Sequence, residues 1–340
     1  FGLSTARPFV VAAADSREVT EPGNNNVPEN AMSLEVNSVV TGNVAARGID
    51  WFKFSAKAGQ RVLLELVAER LDSRLDGQLI VYDSAGREIA RNRDTFGRDS
   101  FLEVQSEQDG EFLLALSDIL YRGGSDHFYR LRISDGPHVD FVYPPAGEPG
   151  STKQYTLYGR NLPGGVRDDL RRRNGHSLET VQVQSALPSE ASVPSGFHPG
   201  QPRQGLLPGH DFTFHNANTV RIGFATAPVV LESNAEAVSR IAVPGEVAGR
   251  FDEPNDEDVY RFKTQQGRTY WVEVIADRMQ SKVDPLLIVD QVTTSADGRE
   301  TLTQVAENDD LPSFFSIDGK DTLNADTVDA AVSFTPADDG

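Results

Sequence analysis

The chain repeats itself. Asp50-Trp51-Phe52-Lys53-Phe54 returns as Asp258-Val259-Tyr260-Arg261-Phe262, an offset of 208 residues that also aligns Gly59-Gln60-Arg61 with Gly267-Arg268-Thr269. The match continues as Ala68-Glu69-Arg70-Leu71-Asp72-Ser73-Arg74-Leu75-Asp76 against Ala276-Asp277-Arg278-Met279-Gln280-Ser281-Lys282-Val283-Asp284. Identities fall on turn residues and alternate apolar positions, so the fold must be one that can be built twice. After an insertion in the second copy, Ser100-Phe101-Leu102-Glu103-Val104 meets Ala330-Ala331-Val332-Ser333-Phe334, and Gly110 meets Gly340. The first copy runs on through 112–116 and 128–133, so the second lacks the equivalents of at least two strands. Incomplete sheets expose edges that template further pairing. With a start at Phe1, the expectation is a processed or excised piece of a longer protein, intermolecular strand completion being the alternative.

Apolar residues occur in short runs of period two. Val62, Leu64 and Leu66 share one face, as do Leu79 and Val81, and Tyr129, Leu131 and Ile133 alternate with Arg130 and Arg132. That alternation marks strands with one buried and one wet face. Ser84-Ala85-Gly86, Gln108-Asp109-Gly110 and Gly123-Gly124 supply the turns between them. No stretch of 12 residues carries a clean helical period, and the chain reads as all-β, with strands spaced as in sandwiches.

Length and charge narrow the function. At roughly 100–200 residues per domain, 340 residues predict two or three domains. There is no cysteine, which excludes a disulfide framework, thiolate metal sites and a cysteine nucleophile. A net charge of −19 repels phosphate backbones and anionic membranes, so cations are better partners than nucleic acid. The longest apolar run, 8–14, is far short of the roughly 20 residues of a membrane span.

Several of these residues resemble the bacterial pre-peptidase C-terminal (PPC) domain, as found in large extracellular proteins of planctomycete-like bacteria. They are Gly42, Asp50-Trp51-Phe52-Lys53-Phe54, Ala58-Gly59-Gln60, Ala68-Glu69-Arg70-Leu71, Leu75-Asp76, Leu79-Ile80-Val81-Tyr82-Asp83, Asp109-Gly110 and Tyr129-Arg130-Leu131. The middle segment, with Val142-Tyr143-Pro144-Pro145-Ala146-Gly147, Gly150 and Tyr155-Thr156-Leu157-Tyr158-Gly159-Arg160-Asn161-Leu162, is similar to an immunoglobulin-like TIG domain. The resemblance implies tandem antiparallel β-sandwiches, jelly-roll-like PPC domains flanking an Ig-like one. The expected divisions are a terminal strand of a preceding Ig-like unit (1–11), a PPC-like sandwich (12–136), a TIG-like sandwich (137–232) and an incomplete second PPC-like sandwich (233–340).

The resemblance also implies calcium. Family members carry an acidic Glu-Pro-Asn motif before the first strand and join it to aspartates near the Asp-x-Phe-x-Phe strand; the matching positions here are Glu21, Asn24, Asn25 and Asp50. This chain departs from the pattern by an inserted Gly23 and by Gly48 where an aspartate is usual. In the second copy Asp252, Asp256, Glu257 and Asp258 crowd one loop, with Asp256 and Asp258 as the candidate ligands. Hard oxygen donors suit calcium, and the same residues also read as solvated turn residues. Asp76, Asp284, Ser73 and Ser281 read as turn caps. Trp51 and Trp271, both out of phase with the inward residues beside them, are candidate binding aromatics.

No zinc-protease helix, nucleophile elbow, phosphate loop or dinucleotide fingerprint is present in the sequence. Residues 137–232 balance 8 acidic against 8 basic side chains, whereas 1–136 carry a net −6 and 233–340 a net −13. The basic cluster Arg167, Arg171, Arg172 and Arg173 therefore suits an acidic neighbouring repeat, or else a solvated loop. The expectation is a non-enzymatic structural or adhesive segment of a secreted or cell-surface bacterial protein, assembling with neighbouring repeats or copies of itself into fibres or a surface layer. The alternative is a calcium-dependent module that binds polysaccharide or fibrous protein beside a secreted enzyme.

Overall fold

A computed structural model describes residues 16–192, 207–232, 238–252, 255–279, 281–310, 316–317, 321–322 and 327–340. The strand expected at 1–11 lies outside them. Among the described residues the regular structure is strand, with helix limited to three-residue 3-10 turns, so the chain is all-β. It divides into two compact units, one running to His138 and adding Asn161–Glu179, the other made of Val139–Arg160 and Thr180–Gly340.

The first unit is a β-sandwich. One sheet has the order β1 (Arg17–Thr20), β3 (Ser38–Asn43), β10 (Phe128–Ser134), β5 (Arg61–Val67), β8 (Phe101–Gln105). The other runs β2 (Met32–Ser33), β4 (Asp50–Ala56), β9 (Gly110–Asp118), β6 (Gly77–Tyr82), β7 (Glu88–Asn92). Pairing is antiparallel except at β1 with β3 and β2 with β4. Between the sheets the inward residues of the alternating runs, Val62, Leu64, Leu66, Leu79, Val81, Tyr129, Leu131 and Ile133 among them, join one hydrophobic core. Burial of such side chains, at about 1.5–3 kcal/mol each, holds the sheets face to face. Phe54 stacks on Phe112 with ring centroids 5.4 Å apart.

One face expected to be wet is covered. Leu63, Phe101 and Glu103, on the outer side of β5 and β8, are 4%, 2% and 5% exposed. The segment Asn161–Glu179 belongs to this unit and carries β14 (Val166–Arg173) and the start of β15 (His176–Ala186). The turn between them is Asn174-Gly175, both at positive φ (52° and 83°), the two-residue geometry that matches strand twist. Arg61 binds this segment through Glu179 Oε1 (2.9 Å) and the Ser177 carbonyl (3.1 Å), while its Nε meets Glu103 Oε1 at 2.8 Å. A polar face is thereby buried with its charges paired, a contact that no period-two pattern encodes.

In the second unit β11 (His138–Tyr143), β13 (Thr152–Arg160) and β15 are neighbours in one sheet, and β12 (Ala146–Gly147), β17 (Thr219–Phe224) and β16 (Gly209–Thr213) form another. Arg160 and Asp140, each 1% exposed, pair through both carboxylate oxygens at 2.7 and 2.8 Å. Then follow β18 (Val229–Leu231), β19 (Ser239–Arg240), β20 (Glu246–Ala248), β21 (Tyr260–Arg261), β22 (Tyr270–Glu273), β23 (Leu287–Thr294), β24 (Glu300–Asn308), β25 (Ser316–Ile317), β26 (Asp321–Thr322) and β27 (Ala331–Phe334).

Several of these later strands repeat pairings seen in the first unit. Val62 faces Val104 and Leu64 faces Leu102 across β5 and β8; Tyr270 faces Phe334 and Val272 faces Val332 across β22 and β27. The hairpin β6–β7 is irregular between Val81 and Tyr82, and β23–β24 between the equivalent Val289 and Asp290. The parallel pairs β2–β4 and β1–β3 return as β19–β21 and β18–β20. Gly59 and Gly267 both take left-handed φ (75° and 71°) in the same turn, donating to Ser106 and Pro336.

Candidate functional site

Each copy places ionisable groups, buried or half-buried, at the same two places. The first is a cradle around an aspartate two residues before the start of β8 or β27. Asp99, fully buried, accepts the backbone N–H groups of Ala68 (2.9 Å), Glu69 (2.8 Å) and Arg70 (3.3 Å) and the Nε of Arg70 (2.7 Å). Asp329, also fully buried, accepts Ala276 (2.6 Å), Asp277 (2.6 Å), Arg278 (3.4 Å) and Arg278 Nε (2.6 Å). The arginines then reach Glu65 and Glu273 at 2.9 and 2.6 Å. Each aspartate closes a 3-10 turn, Glu69–Leu71 or Asp277–Met279, whose first N–H groups have no partner within the turn. Ser73 and Ser281 finish the loop by accepting the N–H of Leu75 and Val283, as expected of turn caps. Asp76 departs from that expectation: its N–H donates to Asp118 Oδ2 and its Oδ1 is buried without a hydrogen bond.

The second place is a carboxylate pair beside a strand glycine. Glu21 follows β1, donates its N–H to the Thr41 carbonyl and accepts the Asn43 N–H on its Oε2. Tyr129 donates to Asp50 Oδ2 at 3.0 Å, and its hydroxyl also bonds Glu21. Desolvation, then the charge of Glu21, pushes Asp50 up to about 7, and desolvation raises Glu21 as well. In the second copy Glu232 donates its N–H to Ala248 and accepts that of Arg250. Desolvation, then a hydrogen bond shared with Glu232 and the charge of Glu232, pushes Asp258 up to about 7. Room for each pair comes from a glycine. A Cβ at Gly42 would lie 2.4 Å from Glu21 Oε2 and 2.6 Å from the Tyr129 hydroxyl, and one at Gly249 would lie 2.9 Å from the Tyr260 hydroxyl. Gly42→Ala is therefore expected to displace Glu21 and cost about 1–3 kcal/mol, measurable by urea denaturation; an unchanged midpoint would refute the close fit.

The structure thus brings together Glu21 and Asp50 of the expected calcium residues. Asn25 bonds the backbone of the residue after Asp50: its carbonyl accepts the Trp51 N–H, its Nδ2 donates to the Trp51 carbonyl, and its Oδ1 is buried with no hydrogen bond. Asn24 is exposed. Asp258 hydrogen-bonds Glu232, whereas Asp256 acts on it through its charge alone and its oxygens accept the N–H groups of Asp252 and Glu257 in their own loop. Among the described residues no group of three or more His, Cys, Asp or Glu is arranged for a metal ion.

Trp51 is half-buried on the outer face of β4, its ring 5.7 Å from Tyr82. Trp271 lies in β22, 57% exposed. The basic cluster is largely neutralised within its own unit: Arg167 pairs with Asp169, Arg171 with Asp168, and Arg173 lies over the Phe96 ring at 6.0 Å.

The sequence reading missed Asp99 and Asp329, and it discounted Glu232 as part of a decayed counterpart of the Glu21 segment. The repeat carries a signal for the first two, since each directly precedes an aligned strand, Ser100–Val104 or Ala330–Phe334.

No family model matches the chain. It is 29% identical over 99 residues to a probable subtilase-type serine protease of Deinococcus radiodurans, covering 28% of this chain and 14% of that protein. The chain thus spans about a seventh of that relative's length. Among solved structures, the pre-peptidase C-terminal domain of a Bacillus anthracis collagenase is 15% identical, covering 32% of this chain and all of that one, with a TM-score of 0.27. The periplasmic g-type lysozyme inhibitor PliG of Aeromonas hydrophila is 16% identical over 31% of this chain and 96% of its own, with a TM-score of 0.24.

Proposed function

We propose that this chain is a non-catalytic accessory segment of a secreted or cell-surface bacterial protein, built as tandem β-sandwiches of PPC-like and Ig-like type and acting as a structural or adhesive module. The observation that carries the reading is the duplication: the aspartate cradle and the carboxylate pair recur at matching positions of two copies, each tied to local backbone. A device copied with the fold serves the fold, or a ligand taken by both copies. The match to part of a subtilase-type protease supports a place beside an exported enzyme.

The carboxylate pairs suit calcium. In the first copy Glu21 and Asp50 would supply charge and Asn25 Oδ1 a neutral oxygen, the hard donor types the ion takes. Bound there, the ion would neutralise two desolvated carboxylates and tie the segment after β1 to β4. Light scattering after size exclusion, in millimolar calcium and in EDTA, tests the assembly reading. Calcium-dependent self-association is the expected result; a monomer of identical radius in both buffers would remove it.

A second reading rests on the Trp51–Tyr82 pair, whose outward placement suits stacking on sugar rings or a fibrous protein. It predicts retention on insoluble polysaccharide or collagen that drops at least roughly tenfold in Trp51→Ala, the loss typical of an aromatic anchor. Equal retention of both proteins would eliminate it.

A further inference from the structure

The arginines of β14 are not exhausted by ion pairing within their unit. On the outer side of β5 and β8 a cavity of about 110 Å³ is lined by Arg61 of β5, Gln105 of β8, Arg167 and Arg172 of β14, and His176 and Ser177 of β15. A single water needs roughly 10–15 Å³, so the space takes several waters or one small group. It opens to solvent, since Arg172 and the turn residue Gly175 at its rim are exposed.

Each of these side chains can donate a hydrogen bond, and no aspartate or glutamate lines the cavity. The carboxylates that pair with two of the arginines stand off its wall. Arg61 faces Glu103 with Nε and gives one N–H each to Glu179 and the Ser177 carbonyl, which leaves a second N–H on each terminal nitrogen. Arg167 gives Nε to Asp169 and one N–H to Ser177 Oγ, and keeps the rest of its fork. The Arg172 guanidinium has no ion pair among the described residues; it acts on Asp169 through its charge alone.

Donors without a carboxylate beside them suit an anion that is fully ionised, because a group still carrying a proton would find no charged acceptor for it. Guanidinium groups that arrive from β5 and from both ends of β14 also approach from different directions. That arrangement fits oxygens set as a tetrahedron better than the single plane of a carboxylate.

We propose that this cavity binds a sulfate-type oxyanion, as the free ion or as a sulfate ester on an extracellular polysaccharide, with Arg172 supplying the unpaired charge and Arg61 and Arg167 further donors. The site rests on its own geometry and is independent of the proposed function.

Calorimetric titration of the 340-residue chain with sodium sulfate, at an ionic strength fixed with sodium chloride, is the test. Saturable binding at one site is expected, with a dissociation constant that rises at least roughly tenfold in Arg172→Ala, the worth of one charge-assisted contact. Arg172 is exposed, so its truncation is expected to leave the unfolding midpoint unchanged. Leu170→Ala, in the same strand but off the cavity and 91% exposed, is expected to bind sulfate like the wild type. Acetate is expected to bind more weakly than sulfate. Columns of dextran sulfate and of dextran separate the two sources. A net charge of −19 repels a polyanion in general, so retention on dextran sulfate alone that Arg172→Ala abolishes marks an ester, and sulfate binding without such retention marks the free ion. Undetectable sulfate binding, equal binding by wild type and Arg172→Ala, or acetate bound as tightly as sulfate would each overturn the proposal.

Discussion

Asp99→Ala is expected to lower the unfolding free energy of the first sandwich by about 3–5 kcal/mol, the largest single effect anticipated in this protein. The side chain is fully buried and holds three backbone N–H groups and the Arg70 guanidinium. Truncation leaves those backbone donors without an acceptor and leaves the Arg70 guanidinium with Glu65 and the Leu66 carbonyl only. Buried donors without partners cost about 1–3 kcal/mol each where water cannot reach them. Asp99→Asn keeps one acceptor oxygen and loses the charge, so it falls between the two. The two tryptophans, Trp51 and Trp271, lie one in each unit, and a Trp271→Phe background isolates the first in urea denaturation followed by fluorescence. A loss below about 1 kcal/mol for Asp99→Ala would show that the cradle is dispensable. Asp329→Ala is expected to act likewise on the second copy, where the bonds repeat.

The second large effect is a pH dependence that calcium reverses. Asp50, 5% exposed, is pushed up to about 7 from an unfolded value near 4. Between those values the folded state binds more protons at this group than the unfolded state, so the contribution of Asp50 is greatest below pH 4 and falls as pH rises to about 7. At about 1.4 kcal/mol per pH unit the loss from this group is of order 2–4 kcal/mol, and Glu21 shifts in the same direction. Asp50→Asn is expected to flatten this slope. Calcium bound at the pair as proposed would compete with those protons; at pH 8 a concentration 100 times its dissociation constant would add about 2.7 kcal/mol, and at pH 5 far less. Urea midpoints from pH 4.5 to 8, in calcium and in EDTA, measure both. A wild-type slope equal to that of Asp50→Asn would contradict the desolvated pair, and equal midpoints in the two buffers at pH 8 would exclude calcium at this site.

Much of the fold was legible because its signals are local. Alternation at 61–67, 79–82 and 128–133 identified core residues that are 0–2% exposed, since in a strand the pleat alone decides which face a side chain takes. The repeat aligned turns, strands and even the irregularity at Val81 and Val289, because both copies solve one packing problem. The site was only partly legible. Glu21 and Asp50 are 29 positions apart, and their meeting depends on the parallel placement of β1 beside β3 and on Tyr129 from β10. Asp256 shares a loop with Asp258 in sequence yet turns its oxygens to its own backbone, since a short polar side chain bonds the nearest N–H.

By itself the sequence determined strand content, inward faces, turn positions and the existence of two copies, all of which follow from chain geometry over a few residues and from comparison of the chain with itself. Tertiary structure alone decided which carboxylates are desolvated and which outer face is covered. Burial and charge pairing depend on what arrives from distant segments, such as Asn161–Glu179 over β5, and no local pattern records that arrival.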